Sequence, residues 1–139
     1  MEIIILSNKD ARFYQLMGPF LANRSVAKEI GYPIYDDDDK EWLLATEDGN
    51  VIGFCYRRVR GSSCTIGSCY VAVKERGKGL FGKLLRTAVK KFIGTVTLTT
   101  ASHTMSFILF HEGFRATKTR GKFTVYEKEY GDAVSKSGV

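Results

Sequence analysis

Cysteine is scarce in this chain of 139 residues: Cys55, Cys64 and Cys69 are an odd number, and none falls in a CxxC pair. That spacing excludes a paired-cysteine metal or redox motif, so no metal is expected and the three read as small core or strand residues. Long apolar runs are missing too. None approaches the roughly 18 residues that a membrane span requires. The start, MEIIILSNKD, has neither a basic leader nor a small-residue cleavage site. It reads as a first strand, and a cytoplasmic location with no membrane partner is expected. No repeat or linker divides the chain. Residues 1–130 are therefore expected to form one domain, followed by a frayed polar tail over 131–139 (GDAVSKSGV).

What is present begins with charge. The formal net charge is +6, from 21 Lys and Arg against 15 Asp and Glu. This balance favours an anionic partner, but a polyphosphate cofactor satisfies it as well as a nucleic acid does. The apolar share of 44% supports a packed core.

Taken in order, residues 2–6 (EIIIL) form a β-branched strand. Asn8 is read as the N-cap of a helix carrying Phe13, Leu16 and Met17, which Gly18-Pro19 interrupts. A second helix over about 20–30 turns Leu21, Val26, Ala27 and Ile30 inward and ends at Gly31. The run Asp36 to Asp39 repels itself and cannot be core; it is either a solvated loop or a carboxylate supply for a cleft. Strands follow at 41–46, 51–60 and 64–73, with a hairpin signal at Glu47-Asp48-Gly49-Asn50. A helix begins near Leu80, and Thr95 to Thr100 makes a buried strand parallel to 64–73. Ser102 opens a short apolar helix that Gly113 stops. Residues 114–119 and 122–130 close the chain as a hairpin around Arg120-Gly121. The expected class is α/β, in the order β-α-α-β-β-β-α-β-α-β-β, with helices on both faces of a mixed, mainly antiparallel sheet.

The most informative stretch is Val71 to Phe92, where an apolar strand passes through Arg76-Gly77-Lys78-Gly79 into a helix. Free N–H groups at a helix start, the dipole and Gly-permitted close approach make such a turn an anion site. A lysine at the positive end of a helix is unfavourable unless an anion offsets it.

Strand, turn, helix and element order together resemble the GNAT superfamily of acyl-CoA-dependent N-acyltransferases over roughly residues 2–130. The family signature, [Q/R]-x-x-G-x-[G/A], reads here as Arg76 to Phe81 followed by Gly82. Phe81 replaces the usual small residue, which Gly82 supplies one place later. Phe110-His111-Glu112-Gly113-Phe114 resembles the family's turn out of its fourth helix. The resemblance implies acetyl-CoA as cosubstrate. Its pyrophosphate would be held by Arg76, Gly77, Lys78, Gly79, Leu80, Phe81 and Gly82. Its pantetheine arm would pair with backbone groups of Val71 and Val73, in a slot between strands 64–73 and 95–100.

Acyl transfer to an amine also needs the amine neutral, the thioester carbonyl polarised and the leaving thiolate protonated. A backbone N–H near Val71 is the expected polariser. Many family members donate the proton from a Tyr on the helix before Gly-Phe, where this chain has Leu109 and Phe110. The substitutes are Ser102 and His103 at that helix's start, with Thr104 beside them, and Tyr70 on the central strand. Two of them have a plainer reading: His103 as a surface or capping residue, Tyr70 as a core or coenzyme-wall aromatic. CTIGSCYVAV holds no carboxylate, so Glu41 or the Asp36 to Asp39 run is the candidate base, unless the amine arrives deprotonated.

Three functions follow. The first is an N-acetyltransferase acting on a small amine or a protein Lys or N-terminus. The second modifies a nucleobase amine, as Mom-like proteins of this fold do, using the basic arms Arg57-Arg58-Arg60 and Arg115, Lys118, Arg120, Lys122. The third is a catalytically weak acyl-CoA-binding module. The acceptor, and a monomer against a homodimer, stay open.

Overall fold

The computed structural model describes residues 1–131, so the tail expected over 131–139 lies, apart from Gly131, outside the described residues. The strands are β1 (Glu2–Leu6), β2 (Glu41–Glu47), β3 (Asn50–Arg60), β4 (Ser63–Val71), β5 (Gly94–Thr100), β6 (Arg115–Arg120) and β7 (Phe123–Tyr130). The helices are α1 (Phe13–Leu21), α2 (Arg24–Ile30), α3 (Leu80–Val89) and α4 (His103–His111). The expected element order holds, and the strands join in one seven-stranded sheet ordered β1-β2-β3-β4-β5-β7-β6. Every pairing is antiparallel except β4 with β5, which a helical crossover makes parallel.

Strand alternation divides the core between the two faces of the sheet. Leu43, Ala45 and Cys55 face α3 and α4, packing with Leu84, Leu85, Ala88 and Leu109. Trp42, Leu44 and Phe54 face α1 and α2, packing with Phe13, Met17 and Val26. An aromatic chain runs through this second core: Trp42 contacts Phe54 edge-on at 6.1 Å, and Phe54 stacks on Tyr70 at 5.4 Å. Full burial of a side chain such as Phe54 contributes about 1.5–3 kcal/mol.

The first helix differs from its expected form. Asn8 does not cap it; its amide donates to Asp38 instead, and Asp10 meets the Arg12 N–H at 2.9 Å just before α1. Gly18-Pro19 does not interrupt it either, and Pro19 sits inside α1. Pro disfavours a helical residue before it by clashing with that residue's Cβ, and Gly18 has none. The real break is at Ala22-Asn23, where the Asn23 side chain accepts from Ser25 N and Val26 N and caps α2. Gly31 then ends α2 in the left-handed region, as expected.

The acidic run is a clasp. Asp37 and Asp39 bind Arg58 at 2.9 and 3.1 Å, Asp39 also binds Arg60 at 2.6 Å, and Asp36 accepts from Trp42 Nε1 at 3.1 Å. The buried Lys40 donates to Tyr35 O at 2.6 Å and lies 4.3 Å from the Tyr56 ring centre.

Candidate functional site

Parallel pairing of β4 with β5 runs from Ser63 opposite Thr95 only as far as Ile66 opposite Leu98. Beyond that point the two strands part, leaving a wedge between Gly67–Val71 and Thr99–Thr100. A bulge accentuates the parting: β3 meets β4 with Phe54 opposite Tyr70 but Tyr56 opposite Gly67, so Ser68 and Cys69 together face Cys55. Ser68 carries the strain of that extra residue, with φ of 49°. Gly67 is needed for a different reason. A Cβ there would lie 2.5 Å from the Tyr56 hydroxyl, so only glycine lets that ring lie against the strand.

The wedge opens into a cleft of about 680 Å³ that reaches the N-terminus of α3. Its walls include Tyr32, Tyr70, Val71, Arg76, Phe81 and Ser102. At its open end the chain leaves β4, makes one 3-10 turn at Val73–Glu75 and enters the glycine-rich turn. Gly77 and Gly79 have φ of 81° and 79°, and a Cβ on either would meet no atom within 4 Å. Conformation, not space, therefore requires glycine at both. Gly79 is the N-cap of α3 and has no side chain with which to satisfy the helix start. The Arg76 N–H bonds back to Val73 O, whereas those from Gly77 to Gly82 have no partner among the described residues. The result is a row of free donors at the positive end of a helix, facing a cleft.

The Val71 backbone faces the same space. Ala72 N–H donates to Ile52 O, and Val71 stands opposite Gly53. The alternation of an antiparallel ladder then turns Val71 N–H and C=O away from β3 and toward the wedge. Its carbonyl already accepts from Arg76 Nε at 2.9 Å. The Arg76 guanidinium also pairs with Glu29 of α2 and lies 5.9 Å from the Tyr70 ring centre.

Of the residues singled out from sequence, Tyr70, Val71, Arg76, Gly77, Gly79, Leu80, Phe81, Gly82 and Ser102 come together around this cleft. Phe81 turns its ring into the core, and Gly82 is buried, the atoms nearest a Cβ added there being those of the Arg86 guanidinium, the first at 3.0 Å. Ser102 caps α4, its Oγ accepting from Met105 N at 3.1 Å. Four residues fall elsewhere. Lys78 is exposed beside the turn, 3.5 Å from Glu75. Val73 is out of reach because β4 ends at Val71, and its carbonyl is taken by Arg76. His103 is exposed at the first position of α4 and does not line the cleft. Glu41 lies outside the cleft and binds Arg57 at 2.9 Å, its neighbour across the β2–β3 ladder. The Asp36 to Asp39 run is likewise absent from the cleft wall.

Residues not singled out from sequence complete the walls. Glu29, Glu75 and Glu112 each have a cationic partner, in Arg76, Lys78 and Arg86 respectively. Tyr32 brings its hydroxyl 2.9 Å from Ser68 N, and burial pushes its pKa up to about 12. Local sequence carries no signal for it, since the contact spans 36 positions. Burial also raises all three thiols, Cys55 to about 12 and Cys69 well above the ordinary range, so none is a ready thiolate. Among the described residues no group of three or more His, Cys, Asp or Glu could hold a metal, and no helix is long and apolar enough to cross a membrane.

Comparison with known proteins agrees with this geometry. The family model described as "Acetyltransferase (GNAT) family" matches residues 8–114. No curated protein sequence matches the chain. Among solved structures, Escherichia coli ElaA superposes with a TM-score of 0.69 at 18% identity, over 93% of this chain and 100% of that one. A GNAT family acetyltransferase from Elizabethkingia anophelis, solved with acetyl-CoA bound, gives 0.65 at 15% identity, over 93% and 97%. One from Staphylococcus aureus gives 0.66 at 15%, over 92% and 99%. At these identities the structures speak for the fold alone.

Proposed function

The chain belongs to the acetyltransferase (GNAT) family, and from that premise we propose that it transfers an acetyl group from acetyl-CoA to a primary amine, on a small molecule or a protein Lys or N-terminus. The observation that carries this reading is the run of unpartnered N–H groups from Gly77 to Gly82 at one end of a wedge between two strands. Such a cradle suits a pyrophosphate, and a narrow slot with one free strand edge suits an extended chain bearing amides. Val71 N–H and C=O are the groups that edge offers. In this reading Arg76 leaves Glu29 for the phosphates, because a doubly charged anion outcompetes one exposed carboxylate. Val71 N–H and C=O then hold an amide of the arm, and a donor deeper along the wedge polarises the thioester carbonyl. The amine is the nucleophile, and it must arrive neutral or lose its proton to water or a cleft carboxylate. Residues 1–130 would act as one domain, in the cytoplasm.

The nucleobase reading has lost part of its support. Arg57, Arg58 and Arg60 are engaged by Glu41, Asp37 and Asp39, so of the two arms the β6–β7 hairpin alone has no ion pair among the described residues. The test is thiol release from acetyl-CoA against small amines, a Lys-bearing peptide and DNA. Release that depends on an amine supports the proposal. Binding of acetyl-CoA without release under any acceptor would leave only a binding module.

A further inference from the structure

We propose that Tyr32, on the connection between α2 and β2, is a catalytic residue that donates a hydrogen bond to the reacting end of the thioester; this rests on the acyl-CoA reading above. The phosphate cradle marks the open end of the cleft, and the slot narrows from Val71 toward the point where Ile66 meets Leu98. Ser68 lies three residues deeper than Val71, about 10 Å along a strand. An arm anchored at Gly77–Gly82 and lying along β4 therefore points its reactive end at the bulge. The Tyr32 hydroxyl is there, 2.9 Å from Ser68 N, and Tyr32 is one of the residues that line the same cleft.

Its hydrogen bonding leaves one role open. A phenol oxygen both accepts and donates. Accepting from Ser68 N fixes the oxygen, and no acceptor among the described residues takes its proton. The other hydroxyls are less suited. Tyr70 is stacked on Phe54 and tilted against Phe20 nearer the cradle, and Ser102 is exposed and caps α4. The titratable groups that face Tyr32 are Cys69 of β4 and Tyr56 of β3. Burial pushes both upward, so neither places a charge beside it. Tyr32 therefore keeps its proton across the physiological range.

The step balances without Tyr32 changing state. The amine nitrogen attacks the carbonyl carbon and a C–N bond forms. The C–S bond then breaks, and sulfur leaves with the electron pair as a thiolate. The amine's surplus proton passes to water, and solvent protonates the released thiolate. Tyr32 stabilises the charge that develops on oxygen or sulfur by hydrogen bonding, the kind of contribution worth about 100- to 1,000-fold in rate.

The test uses the full chain, acetyl-CoA and hydroxylamine, a small nucleophile that needs no shaped acceptor pocket. Tyr32→Phe should bind acetyl-CoA within about threefold of wild type and lose at least tenfold in kcat. A fluorinated tyrosine at position 32, which has a more acidic phenol, should retain activity at neutral pH. It should also bring a falling limb into the alkaline side of the pH–rate profile, which a purely structural tyrosine would not do. The fluorinated variant also serves if Tyr32→Phe fails to fold. Unchanged kcat in Tyr32→Phe, or an unshifted profile in the fluorinated protein, overturns the proposal. Wild type that binds acetyl-CoA but releases no thiol also overturns it, while leaving the donor site standing. Wild type that does not bind acetyl-CoA overturns the underlying reading itself.

Discussion

Gly79 and Gly49 form a matched pair that separates the binding role of a glycine from its structural one. Gly79 has φ of 79° and Gly49 has φ of 80°, and an added Cβ meets no atom within 4 Å at either site. Alanine at each therefore bears the same penalty, that of an L residue in the left-handed region, about 1–2 kcal/mol. For a chain of this size such a loss lowers Tm by roughly 3–8 °C. The two sites differ in what they serve. Gly49 turns β2 into β3 away from the cleft, whereas Gly79 caps α3 within the row of free N–H groups. In Gly79→Ala the free loop can shed strain by leaving that conformation, and a bound pyrophosphate must restore it. Acetyl-CoA affinity should then fall by up to the full strain, about 5- to 30-fold. Gly49→Ala, which keeps its strain in the β2–β3 turn, should lose that stability in full and bind acetyl-CoA as wild type does. Calorimetric titration with matched melting curves reads both quantities. Gly79→Ala that loses less stability than Gly49→Ala, showing that the free loop has relaxed, and still binds acetyl-CoA as wild type does would refute the assignment of this turn as the phosphate cradle.

Other consequences follow from the same geometry. Glu29→Ala frees the Arg76 guanidinium from a half-exposed ion pair of the kind worth at most about 1 kcal/mol, so acetyl-CoA should bind up to about fivefold more tightly; weaker binding would mean that Glu29 holds Arg76 in place for the ligand. Gly67→Ala drives a methyl into the Tyr56 hydroxyl and should cost about 1–3 kcal/mol in urea unfolding, and a loss below about 0.5 kcal/mol would contradict the close contact. The Arg60 hydrogen bond, with that of Arg58, holds the Asp39 carboxyl below its ordinary value. Its contribution to stability is then present at neutral pH and is lost as pH falls through the depressed value, below about pH 4. Asp39→Asn should lower stability at pH 7 and flatten that acid limb, and an unchanged limb would show that the pair contributes nothing.

Legibility in the sequence tracked how local each feature is. The glycine turn at 76–79, the hairpin at 47–50 and the stop at Gly113 are short signals whose cause lies within a few residues, and each stands where its residue types place it. The first helix misled because two local rules competed. Pro19 reads as a break, but the missing Cβ of Gly18 removes the clash that makes it one. The acidic run is an exposed loop, one of its two readings, but its partners Arg58 and Arg60 lie 19 to 21 residues away on another hairpin, so local sequence shows the self-repulsion and not its relief. The site divides in the same way. Its phosphate end is one continuous stretch, whereas its reacting end joins Tyr32 to a bulge at Ser68, where a serine adopts positive φ with no glycine to announce it.

The most direct test of the account is amide NMR of the isotope-labelled chain titrated with acetyl-CoA. A phosphate cradle at this turn requires large downfield shifts for the N–H resonances of Gly77, Gly79 and Gly82 as they acquire phosphate acceptors, while Gly49 and Gly121, in turns outside the cleft, stay in place. Saturable binding of acetyl-CoA with those three resonances unmoved would contradict it.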